Sequence, residues 1–168
     1  YGHLAPLLST ALGFGRDAIT LTLFVFGLGA VIGNIVGGIL TDRFGAARVL
    51  SWVAALQVPC LAVFSVLPAS ASFAILWTLI WSSIGWTFGA AQQVRLVGLF
   101  GAKAQVALAL HAAFIFGGSA LGSAVGAGVI TLGGYGALGI GAALLMAWAF
   151  VHLQLSRRIG VRAAPSTP

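Results

Sequence analysis

Charged side chains are scarce in this sequence. Of its 168 residues, 6% are charged and 60% are apolar, and the mean hydropathy is +1.10. Because a soluble domain is about one quarter charged, this composition excludes a soluble globular fold. Runs without Asp, Glu, Lys or Arg cover residues 18–41, 49–94 and 104–156, and each exceeds the roughly 20 residues that cross a bilayer as a helix. The sequence therefore predicts an all-α, polytopic transmembrane helical bundle.

Acidic residues and cysteine are rarer still. There are two acids, Asp17 and Asp42, and one cysteine, Cys60. A single cysteine cannot form an internal disulfide, and no paired carboxylates, phosphate-binding loop, metal-ligand cluster or Ser-His-Asp order is present. We therefore expect no enzyme, no cofactor and no metal site. The net charge of +6 comes from scattered basic residues without a continuous basic face, which argues against nucleic acid as a partner.

Helix-ending residues divide the apolar runs into five full spans. Pro68 ends the second span, Ser70 or Ser72 caps the third, and Gly133-Gly134 separates the fourth from the fifth. The predicted full spans are residues 18–41, 48–67, 72–94, 105–130 and 135–155. Residues 1–12 are too few to cross a bilayer at about 1.5 Å per residue, so we expect them to be the end of a sixth helix that begins before the sequence does. Residues 156–168 are predicted to form a tail.

The basic residues predict the orientation of these spans. All eight of them except Arg16 fall on one side, in two loops and the tail: Arg43, Arg48, Arg95, Lys103, Arg157, Arg158 and Arg162. Basic residues beside spans stay in the cytoplasm. We therefore expect a cytoplasmic C-terminus in a multi-pass protein of a bacterial inner (plasma) membrane.

The loop after the first full span resembles a signature of the major facilitator superfamily. That signature is a Gly, three residues, Asp-Arg, any residue, Gly and then basic residues, and it is matched by Gly38, Asp42, Arg43, Gly45 and Arg48. Ala46 and Ala47 stand where further basic residues are usual, as in the copy found in the second half of such proteins.

Further stretches resemble the drug and sugar efflux (arabinose-efflux-permease-like) branch. Residues 1–8 with Gly13-Phe14 resemble the outer end of helix seven, and residues 92–97, 108–112 and 118–122 resemble the passage from helix ten into helix eleven. The resemblance implies the C-terminal half of such a transporter, with helix seven truncated at residues 1–12 and helices eight to twelve complete. His111 stands where that branch commonly has Asn. Phe116 stands where it has Tyr or Asn.

Asp42 lies at the end of a predicted helix, where the helix dipole disfavours a carboxylate. The resemblance implies a cytoplasmic latch in which Asp42 contacts the other half of the transporter when it faces outward. The alternative is a topological anchor that pairs with Arg43 or Arg48.

Glycines recur every four residues along two spans. They form small-residue stripes that allow close helix packing, at Gly29, Gly33 and Gly37 in the first span and at Gly118, Gly122 and Gly126 in the fourth. Two roles remain open for these stripes: static packing of the helices, and sliding of the helices during transport.

Polar residues within the spans are the candidates for a solute cavity. They are Asn34, Thr78, Ser82, Gln93 and His111. His111 is the one ionisable group well inside an apolar run, where polar groups usually face the bundle interior or a water-filled cavity; solute contact, proton transfer and a buried structural role remain open for it. The three tryptophans of the third span, Trp77, Trp81 and Trp86, either anchor the helix in lipid or line an aromatic site.

These features together predict transmembrane efflux of a small organic solute by alternating access, with proton antiport. The expected partners are the lipid bilayer, an N-terminal half of the transporter, the solute and protons. One alternative is a self-assembling membrane scaffold or channel subunit in which the glycine stripes are an oligomer interface. A truncated, inactive fragment is another.

Overall fold

Helices make up nearly all of the chain that the computed structural model describes, namely residues 2–162, with side chains as far as residue 156. They are α1 (Leu4–Pro6), α2 (Arg16–Phe44), α3 (Ala46–Ala62), α4 (Ala71–Phe100), α5 (Ala104–Gly133) and α6 (Gly136–Arg162). A π-helical turn over Leu7–Ala11 continues α1, and 3-10 turns over Val63–Ser65 and Gly101–Lys103 follow α3 and α4.

Four helical stretches in this part of the chain are long and apolar enough to cross a membrane: Arg16–Phe44, Ala46–Ser65, Ala71–Gly133 and Gly136–Ser156. The third, of 63 residues, contains both α4 and α5. The chain reverses between them at Gly101, whose φ of +48° lies in the region that favours glycine, and the two helices then contact each other. Residues 2–162 therefore form an all-α membrane helical bundle with five long helices.

Several helices extend beyond the predicted spans. The prediction placed Arg95 in a loop and began the tail at residue 156, whereas α4 includes Arg95 and the backbone of α6 continues to Arg162. Residues 163–168 of the predicted tail lie outside the described residues. A helix of 30 residues such as α4 is about 45 Å long, which exceeds the roughly 30 Å hydrocarbon core. Helix ends can therefore carry basic residues into the headgroup region.

Two apolar clusters hold opposite ends of the bundle. Near the start of α2, Leu4, Leu7 and Leu8 pack against Phe64 and Leu67. Near the end of α2, the buried residues Val49, Leu50, Val53 and Ala91 pack against Leu40 and Phe44. α2, α3 and α5 all pack on α4, and α6 packs on α3 and α5.

Several polar side chains lie inside the bundle, beside the apolar clusters, and many large apolar side chains lie outside. Among the described residues, the buried polar ones are Thr22, Thr41, Gln57, Thr78, Ser82 and Thr87. Large apolar residues are exposed along every long helix, and those on α5 include Phe114, Phe116, Leu121 and Leu132. This exposed apolar surface is expected in a bilayer, since lipid favours apolar contact and unpaired polar groups are costly there.

Candidate functional site

A half-open cavity of about 290 Å³ lies midway along α4. Its floor is α4, and α2 and α5 form its walls. The lining residues are Phe26, Gln57, Trp81, Ser82, Gly85, Trp86, Phe88, Gly89, His111 and Ile115. A cavity of this size is at the lower end of the range for small-molecule sites.

Gln57 reaches this cavity from α3 because Gly85 of α4 has no side chain. A Cβ atom at Gly85 would lie 2.7 Å from Gln57 Nε2. The Nε2 group donates a hydrogen bond to the carbonyl oxygen of Trp81 at 3.4 Å. The Oε1 atom of the same amide is buried and has no hydrogen-bond partner among the described residues, so a residue that lines the cavity carries an unsatisfied acceptor.

His111 forms part of the opposite wall. Its Nε2 atom is buried and has no hydrogen-bond partner among the residues that the structure describes. A buried polar atom without a partner costs about 1–3 kcal/mol. Two such atoms around one cavity, on Gln57 and His111, therefore indicate a place that water or a solute satisfies.

Aromatic rings cover much of the remaining lining. The rings of Phe26 and Trp81 lie 5.5 Å apart between centroids, and Phe64 meets Trp81 edge-on at 5.0 Å. Trp86 also lines the cavity and is 44% exposed. Trp77 has a different role, since its Nε1 donates to the carbonyl oxygen of Cys60 at 3.0 Å and so ties α4 to α3. Trp81 and Trp86 therefore line the cavity, whereas Trp77 joins two helices of the bundle.

A second cleft of about 400 Å³ extends from His111 toward the turn between α4 and α5. It is lined by Gln92 and Lys103 together with apolar residues such as Leu96, Phe100 and Phe114. The Oε1 atom of Gln92 is another buried acceptor without a described partner. His111 lies in the lining of both spaces.

The predicted cavity residues are brought together only in part. Ser82 and His111 line the central cavity. Thr78 is fully buried one turn away, and its hydroxyl has no described partner. Asn34 is exposed and donates to the carbonyl oxygen of Ala30 at 2.9 Å, and Gln93 is exposed outside both spaces. The assignment of these five residues to a solute site remains a prediction.

Sequence reasoning missed Gln57 and Gln92. Gln57 is the one amide side chain in residues 48–67, as His111 is the one imidazole in residues 105–130, and that signal was available. Gln92 and Gln93 are adjacent in sequence, and only the rotation of α4 decides which of them lies in the cleft.

The glycine stripe of α2 packs directly against α4. Added Cβ atoms at Gly29, Gly33 and Gly37 would meet atoms of α4 at or inside contact distance, among them the Ser83 carbonyl oxygen opposite Gly33. The hydroxyl of Thr87 also donates to the carbonyl oxygen of Gly33 at 3.0 Å. The stripe therefore brings the two backbones close together.

The glycine stripe of α5 is open over most of its length. Gly118 and Gly122 are exposed, and a Cβ atom at either would meet nothing within 4 Å. Gly126 alone of the three is buried, against the ring of His3, whose Nε2 lies 2.9 Å from the carbonyl oxygen of Ser123. Among the described residues, close packing in the α5 stripe therefore occurs at Gly126.

The signature residues lie around a loop that consists of a single glycine. Gly45, with φ +81° and ψ 141°, separates α2 from α3, and its N–H donates to the carbonyl oxygen of Thr41 at 2.9 Å. Gly38, nearly two turns before the end of α2, has open space where a Cβ would be. The guanidinium of Arg43 lies 5.3 Å from the centre of the Phe44 ring, and Arg48 is exposed in the first turn of α3.

Asp42 is exposed in the last turn of α2. Among the side chains described, residues 2–156, it forms no salt bridge with Arg43, Arg48 or any other base. The anchor interpretation, in which one of these arginines neutralises Asp42, has no contact to support it in this part of the chain.

Replacing Gly45 by alanine is expected to destabilise the α2–α3 turn. Its backbone conformation is almost restricted to glycine, and a side chain there costs about 1–3 kcal/mol, although space is available for the Cβ. The free energy of unfolding in detergent would measure this loss. Gly38→Ala is the matched control because its Cβ also meets nothing within 4 Å and its helical backbone tolerates alanine. Equal stability of the two variants would contradict the prediction.

A known bacterial membrane protein resembles this chain in sequence. The chain is 25% identical over 126 residues to the uncharacterized MFS-type transporter YbcL of Bacillus subtilis (strain 168). The chain is similar to an MFS-type transporter. The match covers 75% of this chain and 32% of that protein, so the chain spans about a third of the length of this relative. No protein-family model matches the chain, and no solved structure matches it.

Proposed function

We propose that this chain is the C-terminal half of a transporter that exports a small organic solute by alternating access. The observation that carries the proposal is the half-open cavity at mid-helix, with two unpartnered polar atoms and an aromatic lining. A solute could bind there and be covered from the open side. The similarity to an MFS-type transporter supports a transport role over an enzymatic one.

The second half of the transporter would close the open side of this cavity. α5 contributes one wall and exposes large apolar residues, including Phe114 and Phe116. Alternating access needs two walls around a central site, and the relative is about three times as long as the matched region. The partner we propose is an N-terminal half of the same protein. The coding sequence upstream of Tyr1 tests this, since it should encode six further spans.

The proposed orientation places the Gly45 turn and the C-terminus in the cytoplasm of a bacterial inner membrane. Arg43, Arg48, Arg95 and Lys103 lie at one end of the long helices, and Arg16 begins α2 at the other end. This asymmetry is what retention of basic residues in the cytoplasm produces. Accessibility labelling that found Arg43 and the C-terminus on opposite sides of the membrane would reject it.

In this proposal, Asp42 is the latch that holds the cytoplasmic side closed in the outward-facing state. Its carboxylate faces the negative end of the α2 dipole and forms no salt bridge within residues 2–156. A partner on the other half, either an arginine or a helix N-terminus, would provide the missing positive charge.

Proton exchange is proposed as the driving force. The acids of this chain are Asp17 and Asp42, which lie at the two ends of α2 and not in the cavity. A carboxylate relay would therefore lie in the N-terminal half, and His111 is the local residue able to carry a proton.

Reconstituted vesicles test transport and proton exchange together. We expect the protein from the complete reading frame to move at least one of three probes, namely ethidium, radiolabelled arabinose and 1-naphthol, faster than protein-free vesicles do. A pH gradient should accelerate this flux. Equal flux with and without the gradient would reject proton exchange, and no flux of any probe would reject this export proposal.

A His111→Asn variant separates the two roles of the histidine. Asparagine keeps a hydrogen-bonding group but cannot titrate. If His111 only contacts the solute, the flux of this variant stays gradient-dependent; if His111 carries the proton, the gradient no longer accelerates it.

A further inference from the structure

The polar atoms that the central cavity offers favour a solute that donates a hydrogen bond. The amide of Gln57 uses its Nε2 group on the Trp81 carbonyl oxygen at 3.4 Å. This contact orients the amide, because the opposite orientation would place two oxygens against each other. The atom left for a solute is therefore Oε1, which accepts and cannot donate.

Apart from Gln57, Ser82 and His111, the cavity is lined by aromatic rings, glycines and Ile115. Phe26, Trp81 and Trp86 line it, and no Asp, Glu, Lys or Arg is among its lining residues. A charged group without a counter-charge is strongly disfavoured in such an environment. Lys103 lines the second cleft and not this cavity.

We infer that the solute is an uncharged aromatic compound with a hydroxyl or N–H group, and that Gln57 Oε1 accepts its hydrogen bond. This inference rests on the proposed function and specifies its solute class. The aromatic body would lie among Phe26, Trp81 and Trp86, whose rings provide stacking and edge contacts. The volume of about 290 Å³ suits a compound of one or two rings.

Gly85 is the positioning residue for this contact. Its missing side chain leaves the space through which the Gln57 amide crosses α4, since a Cβ there would lie 2.7 Å from Nε2. The displaced group would be the flexible end of a side chain and not backbone. Gly85→Ala is therefore expected to move the amide out of the cavity while the bundle remains folded.

The test compares 1-naphthol with 1-methoxynaphthalene, which has the same rings but no hydrogen-bond donor. Binding to the purified full-length protein in nanodiscs is measured by titration, and partition into empty nanodiscs is subtracted. We expect 1-naphthol to bind about fivefold to tenfold more tightly, which is the factor that one net hydrogen bond provides.

Three variants test whether Gln57 causes this preference for 1-naphthol. Gln57→Met has a similar length without the acceptor and should reduce the ratio of the two affinities to about one. Gly85→Ala should reduce the ratio in the same direction. Gly98→Ala is the control on the same helix, because its Cβ meets nothing within 4 Å and Gly98 lines neither space. It should keep the wild-type ratio.

Equal binding of the two probes to the wild-type protein would overturn the inference, as would a preference that survives in either Gln57→Met or Gly85→Ala when that variant is folded. Thermal unfolding of each variant identifies a loss of folding, and either variant alone suffices to decide. The proposed function can fail independently of this inference. If 1-naphthol binds more tightly than 1-methoxynaphthalene but no probe is transported, transport is rejected and the inferred solute class is not.

Discussion

Replacing Gly33 by alanine is expected to lower the free energy of unfolding by about 1–3 kcal/mol, the usual cost of forcing an extra carbon into a close-packed interface. The added Cβ would meet the backbone carbonyl of Ser83 on α4, and backbone cannot move aside as a flexible side chain can. Separation of α2 from α4 would also weaken the Thr87–Gly33 hydrogen bond of 3.0 Å.

Gly27→Ala is the matched control for this prediction. Gly27 lies on the same helix, is exposed, and would place its Cβ in open space. Alanine is a better helix former than glycine by about 1 kcal/mol, so we expect Gly27→Ala to be neutral or stabilising. Unfolding by sodium dodecyl sulfate in mixed micelles, followed by tryptophan emission, would measure both variants. If the two lose equal stability, close contact at Gly33 is not what holds α2 against α4.

Asp42→Asn is expected to shift the transporter away from its outward-facing form. A hydrogen bond to a charged group contributes about 1.5–3 kcal/mol, so its loss should reduce the outward-facing population relative to the inward-facing one by about tenfold or more. Insertion into the membrane should be unaffected, because acidic residues contribute little to orientation.

Accessibility of a cysteine at the cavity would report this change. Ile115 is exposed and lines the cavity, so an Ile115→Cys label site in a Cys60→Ser background can be probed with a membrane-impermeant maleimide from each side. Asp17→Asn is the control, since Asp17 is the acid at the other end of α2 and has no part in the latch. Unchanged labelling from both sides in Asp42→Asn would reject the latch.

Local chemistry of the chain was enough to predict the membrane helices and two of their boundaries. Long uncharged runs require helices in a bilayer, because every backbone polar group must be paired within its own segment. Ser70 is confirmed as the N-cap of α4, where its side chain accepts from the N–H of Phe73 at 3.5 Å. The break at Gly133-Gly134 is confirmed as well, since α5 ends at Gly133 and Gly134 has φ +69°.

The rotation of each helix, by contrast, was decided only by packing. In a soluble protein, the apolar face of a helix indicates its core side, but here lipid and bundle interior are both apolar, so that signal is weak. The glycine stripes of α2 and α5 look alike in sequence, yet the α2 stripe contacts α4 along its length while Gly118 and Gly122 lie open. Gln92 lines the cleft beside His111 and its neighbour Gln93 does not.

The central site depends on tertiary contacts in the same way. Gln57 belongs to α3, yet its amide enters the cavity between α2 and α5 because Gly85 leaves space on the intervening α4. No spacing along the chain connects residues 57, 85 and 111. Hydropathy and helix-end chemistry are properties of neighbouring residues, whereas an acceptor in a cavity arises from three helices that meet at one depth in the membrane.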